Sequence, residues 1–218
     1  MGYAVKEIFY SLQGEGYYTG RATVFCRFSG CNLWSGHEKH RHKAKCTFCD
    51  TDFVGVDGTF GGNYKTAFDL ATLLRSLFPQ HISQNSTPYV VFTGGEPTLQ
   101  LDEELIRECK LLGFEIGIET NGTRAVPAGI DWICVSPKPR TKLMQRSGHE
   151  IKLIYPQAEE EMAPHNFTDL SFLQWYLQPM AVSNQEEEYQ NTQKTIEYCQ
   201  AHPQWRLSLQ MHKIIGVR

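Results

Sequence analysis

Short apolar runs alternate along this chain with segments of helical apolar spacing, and this alternation constrains the fold more than any other feature. Helices are predicted at Ala67–Phe78, Asp102–Leu112 and Glu186–Ala201. Strands that alternate with helices favour an α/β architecture with a largely parallel sheet. The predicted strands are Ala4–Phe9, Thr23–Phe28, Tyr89–Phe92, Glu115–Ile118, Trp132–Val135, Ile151–Ile154, Trp175–Leu177 and Arg206–His212.

The ends of the helices carry recognisable signals. Thr66 and Asn184 are predicted N-caps, and Gly113 is a natural left-handed cap for the second helix. Three helices are too few for eight complete βα units, so a partial TIM-like βα barrel is predicted. The 218 residues suit one domain, 1–218, with an irregular insertion at about 32–45.

Composition excludes several classes of function. A formal net charge of -3 argues against nucleic acid as a partner. No apolar run approaches the roughly 20 residues that span a bilayer, so no membrane partner is expected. Met1–Tyr10 lacks the layout of a signal peptide, and a cytoplasmic location is the expectation.

Three of the seven cysteines form a spaced group. Fourteen residues separate Cys31 from Cys46, and two separate Cys46 from Cys49. In a reducing compartment such a group indicates metal binding rather than disulfides. Three thiolates leave one iron of a [4Fe–4S] cluster open to an exogenous ligand such as S-adenosylmethionine (SAM). The other four cysteines are expected to be buried apolar side chains.

A zinc site is the alternative for the same cysteines. Cys46 and Cys49 have the spacing of tetrahedral zinc ligands, and Cys31, His37, His40 or His42 could complete the set. A zinc-stabilised binding module without catalysis therefore remains open on this pattern alone.

Polar and glycine-rich segments follow four of the predicted strands. These segments are Gly94–Glu96, Glu119–Asn121, Ser136–Lys138 and Gln178–Pro179. Function in βα barrels sits at the carboxyl ends of the strands, so these segments are expected to line a single cavity.

The order of these motifs resembles the radical SAM superfamily, and within it the 7-carboxy-7-deazaguanine synthase family. Cys46–Cys49 is followed by Thr93–Pro97 and by Glu119–Gly122. The family likeness extends over nearly the whole chain, through Ser11–Gly16, Gly20, Phe25–Phe28, Gly30–Leu33, Asp50–Thr51, Ser136–Lys138, Gln178–Pro179 and His212–Lys213.

The resemblance implies a reaction and its cofactors. The expected enzyme is a radical SAM lyase that converts 6-carboxy-5,6,7,8-tetrahydropterin to 7-carboxy-7-deazaguanine with loss of ammonia, in queuosine and 7-deazapurine biosynthesis. A deoxyadenosyl radical would remove a hydrogen from C6 and later return it, so that SAM acts catalytically. The implied cofactors are a [4Fe–4S] cluster, SAM and Mg²⁺. A glycyl-radical-enzyme activase, which acts on a protein, is the second radical SAM hypothesis.

The resemblance also assigns residues to the site. Cys31, Cys46 and Cys49 would hold the cluster and Thr51 would bind Mg²⁺. Arg27 suits the substrate carboxylate because a guanidinium donates a bidentate fork. The full substrate set is Leu12, Gln13, Gly14, Glu15, Arg27, Thr93 and Arg218. The SAM set is Phe48, Cys49, Asp50, Gly95, Glu96, Glu119, Asn121, Ser136, Pro137, Lys138, Gln178 and Pro179.

Two departures from the superfamily pattern lead to expectations about partners. The commonest spacing has three residues between the first two cysteines, whereas this chain has the longer loop Asn32–Lys45 of one branch of the family. Its basic residues, among them His40, Arg41 and Lys43, are a candidate docking surface for a flavodoxin-like electron donor. At the other end, Val217–Arg218 extends or replaces a substrate contact of relatives, and a homodimer is expected from the resemblance.

Overall fold

The computed structural model describes residues 2–80 and 86–218, and these residues form one continuous sheet with helices beside it. The described strands are β1 (Tyr3–Leu12), β2 (Ala22–Phe28), β3 (Gly62–Tyr64), β4 (Tyr89–Gly94), β5 (Glu115–Thr120), β6 (Trp132–Val135), β7 (Ser147–Tyr155), β8 (Ser171–Pro179) and β9 (Arg206–Leu207). The described α-helices are α1 (Ala67–Leu77), α2 (Glu103–Leu111), α3 (Gln185–Ala201) and α4 (Met211–Ile215).

The sheet is open and mostly parallel, which confirms the predicted partial barrel. Its strand order is β3-β1-β2-β4-β5-β6-β7-β8-β9, and the first and last strands do not pair with each other. β1 runs antiparallel to both β2 and β3, while every pair from β2–β4 to β8–β9 is parallel. The carboxyl ends of β2 and β4 to β8 therefore lie along one edge.

Two apolar cores cover the outer face of the sheet. The larger one packs α1 and α2 against β1, β2, β4 and β5, with Leu70, Leu74 and Leu105 fully buried. The second core covers β6 to β8, where Ile151 and Leu153 are fully buried. Residues two apart on a strand share a face, so Glu150 and Lys152 of β7 point to the opposite, concave side.

The predicted N-caps Thr66 and Asn184 are confirmed, and Asp102, predicted as the first residue of the second helix, is instead its N-cap. The side chains of Thr66, Asp102 and Asn184 accept hydrogen bonds from the backbone N–H groups of Asp69, Leu105 and Glu187, respectively. Each bond satisfies one of the N–H groups that the first turn of a helix leaves without an internal partner.

Two predictions of secondary structure differ from the observed fold. The strand predicted at Arg206–His212 is wrong beyond Leu207, because only Arg206 and Leu207 pair with β8 and the chain then turns into α4. Gly62–Tyr64, where no strand was predicted, forms β3 because it pairs with the start of β1.

The insertion between the first two cysteines is an ordered loop with its own small core. A 3₁₀ turn occupies Glu38–Lys43, and Trp34, Ala44 and Phe53 are buried beside it. Cys31 and Cys49 pack against this core. The loop therefore presents the cysteines from a packed surface.

No helix within the described residues is long and apolar enough to cross a membrane.

Candidate active site

A cavity of about 660 Å³ opens at the carboxyl edge of the sheet. Its walls include residues that follow β1, β4, β5, β6 and β8, so the curved sheet surrounds it on several sides. Every residue predicted for the site lines this cavity except Cys31, Glu96 and Pro137. The structure therefore confirms that segments far apart in sequence share one cavity, while the roles of individual residues stay predictions.

Gln13 and Glu119 form a hydrogen-bonded pair across the cavity. Gln13 Nε2 donates to Glu119 Oε1 at 3.0 Å, and Thr93 Oγ1 donates to Glu119 Oε2 at 3.4 Å. Gln13 and Thr93 are each 8 % exposed, so these bonds lie in a largely desolvated wall. The wall offers a carboxylate and an amide to any polar heterocycle bound against it.

Glu15 forms a buried ion pair with Lys152. Lys152 Nζ donates to Glu15 Oε2, while Gln178 and Gln210 donate to Oε1 at 3.1 and 2.8 Å. Burial alone would raise the pKa of Glu15, but the charge and hydrogen bond of Lys152 and the bond from Gln210 hold its pKa at about 2. Glu15 is therefore a carboxylate at neutral pH, and its oxygens are already engaged by three side chains of the protein.

Arg27 and Arg218 meet at Glu7. Arg27 Nε donates to Glu7 Oε1 at 2.9 Å, and Arg218 donates to Oε2. Both guanidinium groups line the cavity, and Glu7 neutralises part of their charge. This side of the cavity is suited to an anionic group, as the two arginines together outnumber the one carboxylate between them.

Two residues of the cysteine loop, Cys46 and Cys49, line the cavity wall. A hydrogen bond from Cys46 lowers the pKa of the Cys49 thiol to about 6, and the same bond raises the pKa of Cys46. A low pKa favours the thiolate, which is the form that binds iron.

Gly95 brings the end of β4 against the first cysteine. A Cβ on Gly95 would lie 2.1 Å from the Gly30 carbonyl oxygen and 2.8 Å from Cys31 Cβ. Only glycine permits this approach, so the Gly-Gly segment packs the strand end onto the cysteine loop. Cys46 and Cys49 thus border the cavity, and Cys31 lies next to that wall beside Gly95; a set of three thiolates fits a cluster with three protein ligands and one open iron.

Lys138 and Ser136, both in the predicted SAM set, are hydrogen-bonded to each other. Lys138 Nζ donates to the backbone oxygen of Ser136 at 2.7 Å and to its hydroxyl at 2.6 Å. Burial lowers the pKa of Lys138, and the nearby Cys46 and Cys49 thiolates act against that shift. Pro137 is buried between them, with its ring away from the cavity.

Glu96 has a different position from the predicted one. Its side chain is fully buried behind the cavity wall, where it accepts bonds from the N–H and hydroxyl of Thr98, the hydroxyl of Thr120 and the N–H of Asn121. Because these four donors use its oxygens, the carboxylate is not available to a ligand amine. It joins the ends of β4 and β5 instead.

Asn121 and Asp50 line the cavity, but their side chains have protein partners. Asn121 Nδ2 donates to Asn32 Oδ1 at 3.0 Å, which ties β5 to the residue after Cys31. Lys213 Nζ donates to Asp50 Oδ2 at 2.8 Å and holds α4 beside the cysteine loop. Phe48 and Thr51 also line the wall. No three His, Cys, Asp or Glu side chains in the described ranges form a ready site for a single metal ion, and Thr51 stays a predicted magnesium ligand.

Several cavity residues were missed by sequence reasoning. Lys152 is a buried charge between the apolar Ile151 and Leu153, and that pattern is a usable signal, whereas Glu7 follows the charged Lys6 and gives none. Gln210 had no signal, because its segment was predicted as a strand. His212 and Lys213, which belong to the segments that carry the family resemblance, also line the cavity.

Comparison with known proteins identifies the class. Residues 43–138 match the model of the Radical SAM superfamily. The 7-carboxy-7-deazaguanine synthase of Bradyrhizobium diazoefficiens is 56% identical over 100% of both chains, and those of Caulobacter vibrioides and Bordetella pertussis are 54% and 52% identical, again over 100% of both chains. The crystal structure of QueE from Escherichia coli aligns with a TM-score of 0.68 and 28% identity, covering 97% of this chain and 95% of that one.

The open βα sheet with three cysteines beside its carboxyl edge is the site of a radical SAM enzyme, which uses a [4Fe–4S] cluster and SAM. With full-length relatives at this identity, the chain belongs to the 7-carboxy-7-deazaguanine synthase family.

Proposed function

We propose that this protein converts 6-carboxy-5,6,7,8-tetrahydropterin to 7-carboxy-7-deazaguanine with release of ammonia, on the route to queuosine and other 7-deazapurines. The relatives that carry this name match the chain from end to end. The observation that carries the proposal is the single cavity, which brings a cysteine loop, a buried acidic wall and two guanidinium groups together.

The substrate side of the site is proposed to be the wall formed by Leu12, Gln13, Gly14, Glu15, Arg27, Thr93 and Arg218. Arg27 uses its Nε for Glu7, and its remaining donors suit the planar carboxylate of the substrate. The Gln13 amide and the Glu119 carboxylate suit the donors and acceptors of a pterin edge. Glu119 is thereby moved from the predicted SAM set to the boundary between the two ligands.

The SAM side is proposed to be the opposite wall. Cys31, Cys46 and Cys49 would hold the cluster, which would supply the electron for reductive cleavage of SAM. Phe48 packs on the adenine, and the backbone of Gly95 borders the methionine end. Gln178 lines the same wall, where its Nε2 donates to Glu15 Oε1. The remaining members are Asp50, Asn121, Ser136, Lys138 and Pro179.

Magnesium is proposed to bind at Thr51, beside the substrate carboxylate. A threonine hydroxyl is a neutral oxygen ligand, and Mg²⁺ keeps several waters when it binds proteins. Asp50 could contribute through one of these waters if it releases Lys213.

We further propose that the protein acts in the cytoplasm as a homodimer, without nucleic-acid or membrane partners. Its electron donor is proposed to be a flavodoxin-like protein. Exposed His40 and Lys43 in the turn Glu38–Lys43 form the proposed docking surface. Arg41 is removed from that surface, because its guanidinium is engaged inside the loop. Neutralising His40 and Lys43 should slow turnover with flavodoxin and leave turnover with dithionite unchanged; equal flavodoxin-supported rates would refute the surface.

The first experiment is anaerobic turnover of the reconstituted protein with dithionite, SAM, magnesium and 6-carboxy-5,6,7,8-tetrahydropterin. Mass spectrometry should detect 7-carboxy-7-deazaguanine without net loss of SAM. Deoxyadenosine without that product would reject the substrate while retaining the radical SAM class. Cys49→Ser should give neither product, whereas Cys199→Ser, outside the cavity on α3, should be active.

A further inference from the structure

A second cavity, of about 10 Å³, lies directly behind the wall of the active site, and we call it the lower chamber. Its volume is about the smallest that holds one water molecule or an ion of that size. Tyr89 and Glu150 line the lower chamber only. Four side chains line both cavities and so form the partition between them: Gln13, Glu15, Glu119 and Cys134.

The lining of the lower chamber carries more negative than positive charge. Glu15 is paired with Lys152, whereas Glu119 and Glu150 have no ion-pair partner within residues 2–80 and 86–218. Glu150 is only 3 % exposed, and burial raises the pKa of its carboxyl group. A buried carboxylate without a counter-charge is costly, so a proton or a small cation has to offset this charge.

Two oxygens at the lower chamber have no hydrogen bond within the part of the chain that the structure describes. Glu150 accepts from the Tyr17 N–H at 3.1 Å and from Trp132 Nε1 at 3.3 Å, but both donors bind Oε2 and leave Oε1 without a partner. The second oxygen is the hydroxyl of Tyr89, a side chain that is 1 % exposed. This hydroxyl lies over Gly117 of β5, where a Cβ would be only 2.2 Å from it.

An aromatic layer covers the lower chamber on the side away from the active site. The Arg21 guanidinium carbon lies 3.9 Å from the centre of the Tyr89 ring and 4.5 Å from that of Tyr18, and the guanidinium pairs with Glu115. Tyr18 packs edge-on against Trp132, with 4.6 Å between the ring centres. An ion is therefore expected to enter from the active site, past the hydrogen bond between Gln13 and Glu119.

The size, charge and acceptors of the lower chamber match an ammonium ion. Ammonium is about as large as a water molecule, carries one positive charge and donates four hydrogen bonds. Acceptor oxygens on the lining come from Gln13, Tyr89, Glu119 and Glu150. A divalent ion such as Mg²⁺ suits this volume poorly, because it keeps several of its waters.

We propose that the lower chamber is a binding site for one ammonium ion and receives, in protonated form, the ammonia that is released in the neighbouring active site. The origin of the ion rests on the proposed function, because only that reaction supplies ammonia next to the chamber. The binding of added ammonium rests on the lining residues alone.

The main test is X-ray diffraction from crystals of the reconstituted protein soaked anaerobically in thallium(I) acetate. Thallium(I) resembles ammonium in size and charge and gives an anomalous signal. A peak is expected in the lower chamber between Glu119 and Glu150, and ammonium acetate should displace it whereas sodium acetate at the same concentration should not. No peak in the chamber, or a peak that ammonium does not displace, would overturn the proposal; a proton on Glu150 in place of a cation gives the first of these results.

Two variants connect the site to its lining. Glu150→Gln should abolish the peak, because it removes the negative charge. Tyr89→Phe keeps the ring and loses only the hydroxyl, so half occupancy should need roughly fivefold more thallium, as expected for one lost hydrogen bond. Tyr189→Phe, which is exposed on α3, should bind thallium like the unsubstituted protein.

Tyr89→Phe also decides the question if Glu150→Gln does not fold. Equal thallium occupancy in Tyr89→Phe and Tyr189→Phe would overturn the proposal. Thallium that ammonium displaces from the chamber of a protein that does not convert the pterin would contradict the proposed function alone. Turnover with release of ammonia but without a thallium peak in the chamber would overturn only the ammonium site.

Discussion

The pair formed by Glu15 and Lys152 places two opposite charges in the cavity wall, with side chains only 15 % and 7 % exposed. Removing one partner of such a pair destabilises the protein far more than replacing both, because a single substitution leaves the other charge buried and unpaired. Four segments meet at the pair: Glu15 follows β1, Lys152 lies on β7, and Glu15 also accepts hydrogen bonds from Gln178 of β8 and from Gln210 before α4. The contribution of this pair to the free energy of unfolding can be measured separately from its effect on activity.

Replacing Lys152 with methionine should lower the free energy of unfolding by about 3–5 kcal/mol, because Glu15 then lacks its buried counter-ion. Urea denaturation of the metal-free protein measures the change. The double variant Glu15→Gln/Lys152→Met should recover most of the loss, since no charge remains unpaired. Equal losses in the single and double variants would contradict the buried-pair account.

The stability contributed by Glu15 should depend on pH in a defined window. Its pKa of about 2 in the folded protein lies below the ordinary value of 4.5, so the contribution is present above pH 4.5 and is lost as the pH falls through about 2. Between pH 6 and pH 3 the protein should lose roughly 1–2 kcal/mol more than Glu15→Gln does. If the free energy of unfolding, measured in urea, depends on pH in the same way in the unsubstituted protein and in Glu15→Gln, the Glu15 carboxylate makes no pH-dependent contribution to stability.

Glu96 provides a second test at this scale. In Glu96→Gln an NH₂ group replaces one carboxylate oxygen, so that a hydrogen-bond donor faces the donor groups of Thr98 and Thr120. This should lower the free energy of unfolding by about 1–3 kcal/mol. The same change at the exposed Glu197 of α3 should cost nothing measurable in thermal or urea unfolding. The KM for SAM should rise with Glu96→Gln, because the ends of β4 and β5 are no longer joined; an unchanged KM would separate this network from the ligand site.

Among the elements, those with strong local signals were predictable and those defined by distant partners were not. α1, α2 and α3 have apolar spacing and capping residues, and they were found close to their observed bounds. β3 has three residues with no apolar alternation and exists because the start of β1 offers it a partner. The same limit applies to the site: two of the four donor groups that bind Glu96 come from the nearby Thr98, but the other two come from Thr120 and Asn121 at the end of β5, which only the folded sheet brings to it.

α4 shows how a tertiary contact overrides local preference. The Met211 N–H donates to the Gly14 carbonyl at 2.9 Å, and Lys213 binds Asp50 on the cysteine loop. These contacts turn the chain across the cavity where its sequence predicted a continued strand. The fit is close, since a Cβ on Gly14 would lie 2.1 Å from His212 Nδ1 and 2.8 Å from His212 Cβ.

Gly14→Ala should therefore displace α4 from the cavity. Trypsin cleavage after Lys213 should become roughly tenfold faster, corresponding to about 1.4 kcal/mol of easier local opening. The compensating variant Gly14→Ala/His212→Ala removes the clash and should be cleaved at nearly the rate of His212→Ala alone. If Gly14→Ala is cleaved no faster than the unsubstituted protein, the helix is not held by this contact.

At the scale of the whole molecule, the open sheet and the cysteine loop depend on each other. The loop has only a small core of its own, and it is tied to the sheet through the Gly30–Gly95 contact and the Asn32–Asn121 hydrogen bond. A cluster held by Cys31, Cys46 and Cys49 would therefore link the two ends of the insertion. Through the contacts of Gly30 and Asn32 it would also stabilise the ends of β4 and β5. Whatever binds the folded state but not the unfolded one stabilises the fold by mass action.

Anaerobic reconstitution with iron and sulfide should accordingly raise the thermal midpoint of the whole domain by several degrees, and removal of iron with a chelator should reverse the change. Cys31→Ser, Cys46→Ser and Cys49→Ser should each abolish the increase, because two thiolates do not hold the cluster. Cys109→Ala, on the buried face of α2, should lower the midpoint of the iron-free protein and still show the full increase on reconstitution. An increase that survives loss of Cys31 would instead favour a site built from Cys46, Cys49 and the histidines of the insertion.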